Sequence, residues 1–307
     1  MQKIKIMVDT PCDIPDEKLS MYEIEMVCVP ICVDGVGYLE RKSFSCEEFY
    51  PILESAKSLP TTSRIPIGSF SESYERLWNE GYTDIIVITM NAGGSGTYES
   101  AQMAANMFFE ETPEAVSIFS IHIVDSMTYS LAYGYPAMCA AEMVQNGKSV
   151  KDILDFLCDI FLRMEISLAC YTLEYAKKSG RITAVAALAG DILGLRPTIA
   201  MIDGKTKITA KSRGMKKATQ NLLDTYHKRR ITPDEPVMIV SGTTDECGQE
   251  LKSQLEQELG REILHCKVGA AVAINTGPQM AGIGFLGKKR ERSDNGKSLV
   301  VTIDGTG

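Results

Sequence analysis

An α/β fold with mostly parallel sheets, in two units, is what this sequence predicts, on three grounds. Short aliphatic runs that end at turn residues alternate with longer segments of helical spacing. The runs are almost continuously apolar, as strands covered on both faces are. The alternation closes at Asn146-Gly147 and restarts near Ser149. The expected organisation is therefore a first α/β unit over residues 1–148, a second over 149–286, and a C-terminal tail over 287–307.

Taken in order, Lys3 to Val8 is a strand that Pro11 and Asp13-Ile14-Pro15 stop, and Met26 to Val33 is a second extended run ending at Asp34-Gly35. Ser45-Cys46-Glu47-Glu48 has the form of a capped helix start. A hydroxyl-rich loop, Leu59 to Phe70, is bounded by prolines and leads into a helix to Asn79. Asp84 to Thr89 is a buried strand. It is followed by the turn Gly93-Gly94-Ser95-Gly96-Thr97 and a helix through Phe109. Ser117 to Val124 is a strand, and Leu131 to Gln145 a helix.

The second unit opens with a helix from Val150 to Met164, an extended run Ile166 to Tyr171 and a short helix to Lys178. Ala184 to Leu195 is a small-residue apolar run that must be buried. Arg196 to Ala210 is a hairpin with an Asp203-Gly204 turn. A basic helix from Arg213 to Arg230 then precedes a further strand–helix–strand alternation through Lys267. Gly269 to Gly284 is small, apolar and glycine-rich. In the tail, polar residues give way to Val300-Val301-Thr302-Ile303.

Composition narrows the function. A net charge of −8 argues against a nucleic-acid partner and against an anionic membrane surface. Nine cysteines without CxxC pairs or Cys/His metal spacing read as free thiols in a reducing cytoplasm. No uncharged segment is apolar enough to insert stably in a membrane. Neither a cofactor nor a metal motif is present.

Three places carry polar chemistry. The glycine-rich turn between strand and helix lets backbone N–H groups face a ligand, with Ser95 where an N-cap would stand; it suits a carboxylate or phosphate, or simply caps a helix. Glu99, one turn on, already satisfies the helix dipole and so counts against a strong anion site. The strand ends Val8-Asp9-Thr10 and Val124-Asp125-Ser126 sit where open α/β sheets gather ligands, and either line a site or begin turns. Nucleophilic catalysis by Cys12 or Ser95 lacks a visible base. An enzyme or binding protein for a phosphorylated small molecule, using residues 93–97, is the alternative reading. No lysine follows that loop as a P-loop requires.

Several stretches, in this order, resemble the DegV family of bacterial proteins. They are Val8-Asp9-Thr10-Pro11-Cys12-Asp13, Thr62-Ser63, Ser95-Gly96-Thr97-Tyr98, Val124-Asp125-Ser126, Ser179-Gly180-Arg181-Ile182, Lys211-Ser212-Arg213 and Asn275-Thr276-Gly277-Pro278. The resemblance implies two α/β domains with a long-chain fatty acid between them. It further implies a protein that is not itself an enzyme, and that presents the carboxylate to a separate ATP-binding kinase subunit. By resemblance, the carboxylate site draws on Thr62, Ser63, Asn91, Ser95, Gly96, Asn275 and Thr276, with Arg213 near its mouth. Such hydroxyls and helix-end amides make a cradle of neutral donors.

Ala184 to Leu195, Ala270 to Ile274 and the Met-rich helix Met103 to Phe109 are expected to line an apolar slot. Burying about fifteen methylenes at ~0.8 kcal/mol each gives roughly 12 kcal/mol before ordering costs. The tail then sets affinity and the head sets orientation. The chain departs from the family at Asn275, where members that serve the kinase carry histidine. It also departs at Arg64-Ile65-Pro66, against the usual Gln-Pro-Ser, and at Asn91-Ala92, against Ser-Ser.

Overall fold

The computed structural model describes residues 2–186, 194–243, 246–291 and 298–306. Two sheets dominate it. The first unit runs β1 (Ile4–Asp9), α1 (Asp16–Met21), β2 (Glu25–Val27), the hairpin β3 (Pro30–Val33) and β4 (Val36–Leu39), α2 (Cys46–Ser55), β5 (Thr61–Thr62) and α3 (Ile67–Asn79). It continues with β6 (Asp84–Thr89), α4 (Thr97–Glu111), β7 (Ser120–Asp125) and α5 (Leu131–Gln145). Strands β2, β1, β6 and β7 lie side by side and parallel. All six residues of β6 are buried, as its uninterrupted Asp-Ile-Ile-Val-Ile-Thr run requires of a central strand. α2 starts at the expected cap: the Ser45 hydroxyl accepts from the Glu48 N–H, and the Glu48 carboxylate accepts from the Ser45 N–H.

The second unit runs α6 (Val150–Arg163), β8 (Met164–Cys170), α7 (Glu174–Ser179), α8 (Thr183–Ala186), β9 (Leu195–Ile202) and β10 (Lys205–Arg213). Then come α9 (Met215–Arg229), β11 (Val237–Ser241), α10 (Glu246–Leu259), β12 (Leu264–Lys267), α11 (Ala270–Thr276) and β13 (Met280–Leu286). The α/β class is as expected, but the parallel pairing is concentrated in the first sheet. In the second, ordered β10-β9-β8-β13-β11-β12, only β11 and β12 pair in parallel. Two features turn it antiparallel. Asp203 and Gly204 both take positive φ (49° and 71°), the tight turn that returns β10 onto β9. And β13 comes back after α11 to lie between β8 and β11. Alternation of strand and helix along a sequence fixes the class of a fold, not the direction in which each strand is laid down.

The tail is not a free end. Val300–Ile303 forms β14, antiparallel to β7 on the edge of the first sheet. Thr302 Oγ1 lies 2.9 Å from His122 Nδ1, and His122 Nε2 lies 3.3 Å from Asp84 Oδ1.

Helix α5 joins the two halves. It packs on β1 of one sheet and on β8, β11 and β13 of the other. Leu131, Ala132, Tyr133, Pro136, Ala137, Met138, Ala140 and Ala141 are buried around most of its circumference, and exposed residues are confined to Glu142 and Gln145 near its C-terminal end, the pattern of a helix held between two layers. One hydrophobic cluster consequently runs from Ile6 and Ile86 through α5 to Ile166, Val240 and Met280.

Candidate functional site

Where the loops of the first sheet meet a face of the second there is a cavity of about 610 Å³, within the ~300–1,000 Å³ usual for small-molecule sites. Its two walls differ. The first unit contributes mostly loop residues: Pro11, Thr62, Ser63, Arg64, Met90, the turn Ala92–Gly96, Glu99, Tyr129 and Ser130. The second contributes Ile166 and Leu168 of β8, Ile199 and Met201 of β9, Val240 of β11 and Met280 of β13, with Ala271 and Val272 of α11. Alternate residues of a strand share a face. Ile199 pairs with Leu168 and Met201 with Ile166, so these four make one apolar patch. Arg181, Asn275 and Thr276 are polar additions from this unit.

The strand-end aspartates shape the polar wall without lining it. Both Asp9 carboxylate oxygens accept from the Met90 N–H (3.1 and 3.2 Å), and Oδ1 also accepts from Tyr133 Oη at 2.6 Å. Asp125 Oδ1 accepts from the N–H groups of Ala92 (3.0 Å) and Met127 (2.9 Å). Of the two readings open for these residues, turn-building is the one this geometry bears out. They pin the segment that carries the glycine turn.

That turn is tight because its neighbours crowd it. A Cβ on Gly94 would stand 1.7 Å from Tyr129 Oη, and one on Gly96 would stand 3.0 Å from Arg64 Cδ. The N-cap of α4 is Gly96 rather than Ser95. Ser95 Oγ instead accepts from the Thr97 N–H at 3.3 Å and lies 2.9 Å from Thr97 Oγ1. Among the described residues, the N–H groups of Ser95 and Gly96 have no acceptor, and both residues line the cavity. Two unpaired amides at the start of a four-turn helix favour an anion.

Of the eight residues expected in the site, Thr62, Ser63, Ser95, Gly96, Asn275 and Thr276 line the cavity, and Asn91 and Arg213 do not. Asn91 is buried behind the turn, where Nδ2 donates to the Gly204 carbonyl (2.9 Å) and to Tyr129 Oη (3.3 Å), while Oδ1 accepts from the Gly93 N–H. It is a strap between the turn and the β9–β10 hairpin tip. Arg213 ends β10 on an exposed position that the register sets opposite Leu195. The arginines on the lining are Arg64 and Arg181, so the cradle is not made of neutral donors alone. The Ser179-Gly180-Arg181-Ile182 motif was the one signal in the sequence for Arg181; for Arg64 it was the departure after Thr62-Ser63.

Two expected donors are already committed. Asn275 Nδ2 donates to the Ala271 carbonyl at 2.7 Å, and Thr276 Oγ1 donates to the carbonyls of Val272 and Gly277, each at 3.1 Å. The apolar slot is also placed differently. Met103 and Met107 are 48% and 41% exposed on α4, facing away from the cavity, because the helix turns its alanines and phenylalanines inward. Of the Ala184–Leu195 run, residues 187–193 lie outside the described residues.

Buried acids close the wall at α11. Asp13 Oδ1 accepts from the Gly269 N–H (2.8 Å), and its other oxygen takes the Ser130 hydroxyl. Glu40 accepts from the Ala271 N–H (2.8 Å) and from Thr10 Oγ1 (2.6 Å). Burial pushes the carboxyls of Asp9 and Asp13 up to about 7 and raises Glu40 as well. A serine–histidine contact does exist, Ser241 Oγ to His265 Nε2 at 2.8 Å. Ser241 is fully buried and neither residue lines the cavity.

Comparison with known proteins adds the family. The profile described as "Uncharacterised protein, DegV family" matches residues 3–288. A DegV domain-containing protein of Clostridium acetobutylicum is 28% identical over 94% of this chain and 100% of its own length. One from Staphylococcus aureus is 29% identical over 94% and 98%. Among solved structures, a DegV lipid binding protein of Thermotoga maritima superposes with a TM-score of 0.80 at 25% identity, covering 94% of this chain and all of its own. DegV of Bacillus subtilis, described as a fatty acid binding protein, gives 0.81 at 24% identity with the same coverage. With the ordered motifs, the two-sheet architecture and a match that spans nearly the whole sequence, this chain belongs to the DegV family.

Proposed function

We propose that this protein binds one long-chain fatty acid, the hydrocarbon against the face of the second sheet and the carboxylate at the Thr62 and Ser95–Gly96 loops. One observation carries the reading. The cavity joins a continuous apolar patch (Ile166, Leu168, Ile199, Met201) to a rim of unpaired N–H donors. An amphipathic acid uses both, whereas a sugar phosphate has little use for the first. The lipid-binding relative from Thermotoga maritima supports the same class of ligand. On this reading residues 1–148 and 149–286 are the two domains that enclose the ligand. The protein is a carrier without chemistry of its own, in the cytoplasm, in keeping with nine free cysteines. No helix among the described residues is long and apolar enough to cross a membrane.

Native mass spectrometry of the purified full chain tests it. We expect one added mass in the range of a fatty acid, recovered as acyl chain by organic extraction; a homogeneous unliganded mass with nothing extracted overturns it. Thermal shifts with oleate, sugar phosphates and ATP distinguish the phosphorylated-ligand alternative, which the free amides of Ser95 and Gly96 with Arg64 and Arg181 favour on their own. The finer role, presentation of the carboxylate to an ATP-binding kinase subunit, rests on family resemblance. Asn275 cannot carry a proton or a positive charge as histidine does. Activity with a partner kinase that appears only in Asn275→His would assign that deficit to this position.

A further inference from the structure

We infer that Arg64 is the specificity determinant of this site, the group that makes the cavity select an ionised acid over a neutral lipid of the same length. The inference rests on the fatty-acid reading above and adds a residue to which no role has so far been given. Arg64 lines the cavity and lies against Gly96, its Cδ at 3.0 Å and its Nη1 at 3.7 Å from where a Cβ on that glycine would stand. The guanidinium therefore sits beside Gly96, whose amide is unpaired, at the exposed rim of the cavity. Among the described residues it makes no ion pair and no hydrogen bond, unlike Arg41, Arg76, Arg163, Arg229, Arg230 and Arg290, each of which is paired with a carboxylate.

The lining holds one other arginine among the described residues, Arg181, but Arg64 is the one that lies against Gly96, and the remaining groups there bring no positive charge. Asn275 is neutral and has one of its amide hydrogens on the Ala271 carbonyl, and Thr276 has its hydroxyl hydrogen on backbone carbonyls. Glu99, on the same lining, adds a negative charge that would repel a carboxylate. Thr62, Ser63 and the two amides donate to a neutral oxygen as well as to a charged one, so their preference for the anion is smaller than that of a full positive charge. A guanidinium discriminates, because it gains a charge-assisted, potentially two-pronged contact only with the anion.

The test compares hexadecanoate with hexadecanol on delipidated full-length protein, each titrated at low salt and pH 8. Wild type should bind the acid at least tenfold more tightly than the alcohol. Arg64→Gln should weaken the acid by about tenfold and leave the alcohol within twofold, and Arg64→Lys should recover part of the loss. If Arg64→Gln binds both ligands as wild type does, or loses both equally, the inference is overturned while the fatty-acid reading stands. If wild type binds neither ligand, the fatty-acid reading itself falls, and this inference with it.

Discussion

The two walls of the cavity come from the two sheets, and they are built by different means. The first sheet presents the carboxyl ends of parallel strands, where loops of Gly, Ser, Thr and Arg are held in place by the strand-end carboxylates of Asp9 and Asp125. The second presents the flat of an antiparallel region, where alternate aliphatic side chains of β8 and β9 stand on one face. A parallel sheet concentrates free backbone donors and polar side chains at one edge, while a sheet face offers area without direction. The polar wall can therefore orient a ligand and discriminate its head group, and the apolar wall can supply most of the affinity.

Breaking the apolar wall should cost most. Leu168→Trp fills the space of roughly three or four methylenes, so at ~0.8 kcal/mol each retention of acyl chain should fall by about a hundredfold. Lipid content of the purified variant by native mass spectrometry measures this. Full occupancy would mean that the β8–β9 face is not the lipid surface.

The next effect lies where the walls meet. Glu40→Ala leaves the Ala271 N–H and the Thr10 hydroxyl without their acceptor, and should lower folding stability by about 2 kcal/mol. A denaturant midpoint unchanged from wild type would show that α11 is held by other contacts.

The same acids predict a pH dependence. Asp9 and Asp13 stand at about 7 in the folded protein, against 3.8 ordinarily, because burial disfavours their charged forms. The folded state therefore binds more protons than the unfolded chain between about pH 4 and pH 7. Their contribution to stability is complete below about pH 4 and is lost as pH rises through about 7. The melting temperature should fall from pH 5.5 to pH 8, and Asp9→Asn should flatten that slope; a slope unaltered in the variant would contradict the assignment.

Within the polar wall, Ser95→Ala should weaken acid binding by only about fivefold, the worth of one hydroxyl contact, since the backbone amides remain. Smallest of all, Arg213→Ala should leave affinity within twofold, because this arginine lies off the lining. A large loss there would return Arg213 to the mouth of the site.

The same contrast explains what could be read in the sequence. The polar wall was legible because loops at strand ends need particular residue types. Thr62-Ser63 and Ser95-Gly96 stand out by composition, and six of the eight residues expected in the site do line the cavity. The apolar wall was not, since Ile166, Leu168, Ile199 and Met201 carry the alternation of any half-buried strand. Met103 and Met107 looked better suited to a lipid, yet they face solvent. Asn91 was misplaced because its hydrogen bonds reach Gly204, more than a hundred residues away. Likewise the strand at Val300–Ile303 gave no local sign that it pairs with β7.

The most direct test of the central claim is a crystal structure of the protein with hexadecanoate. The account predicts the carboxylate within about 3 Å of the Ser95 and Gly96 amides and of Thr62 Oγ1, with the chain laid over Leu168 and Ile199. A ligand bound in the reverse sense, or bound outside the cavity while side chains close it, would contradict the account.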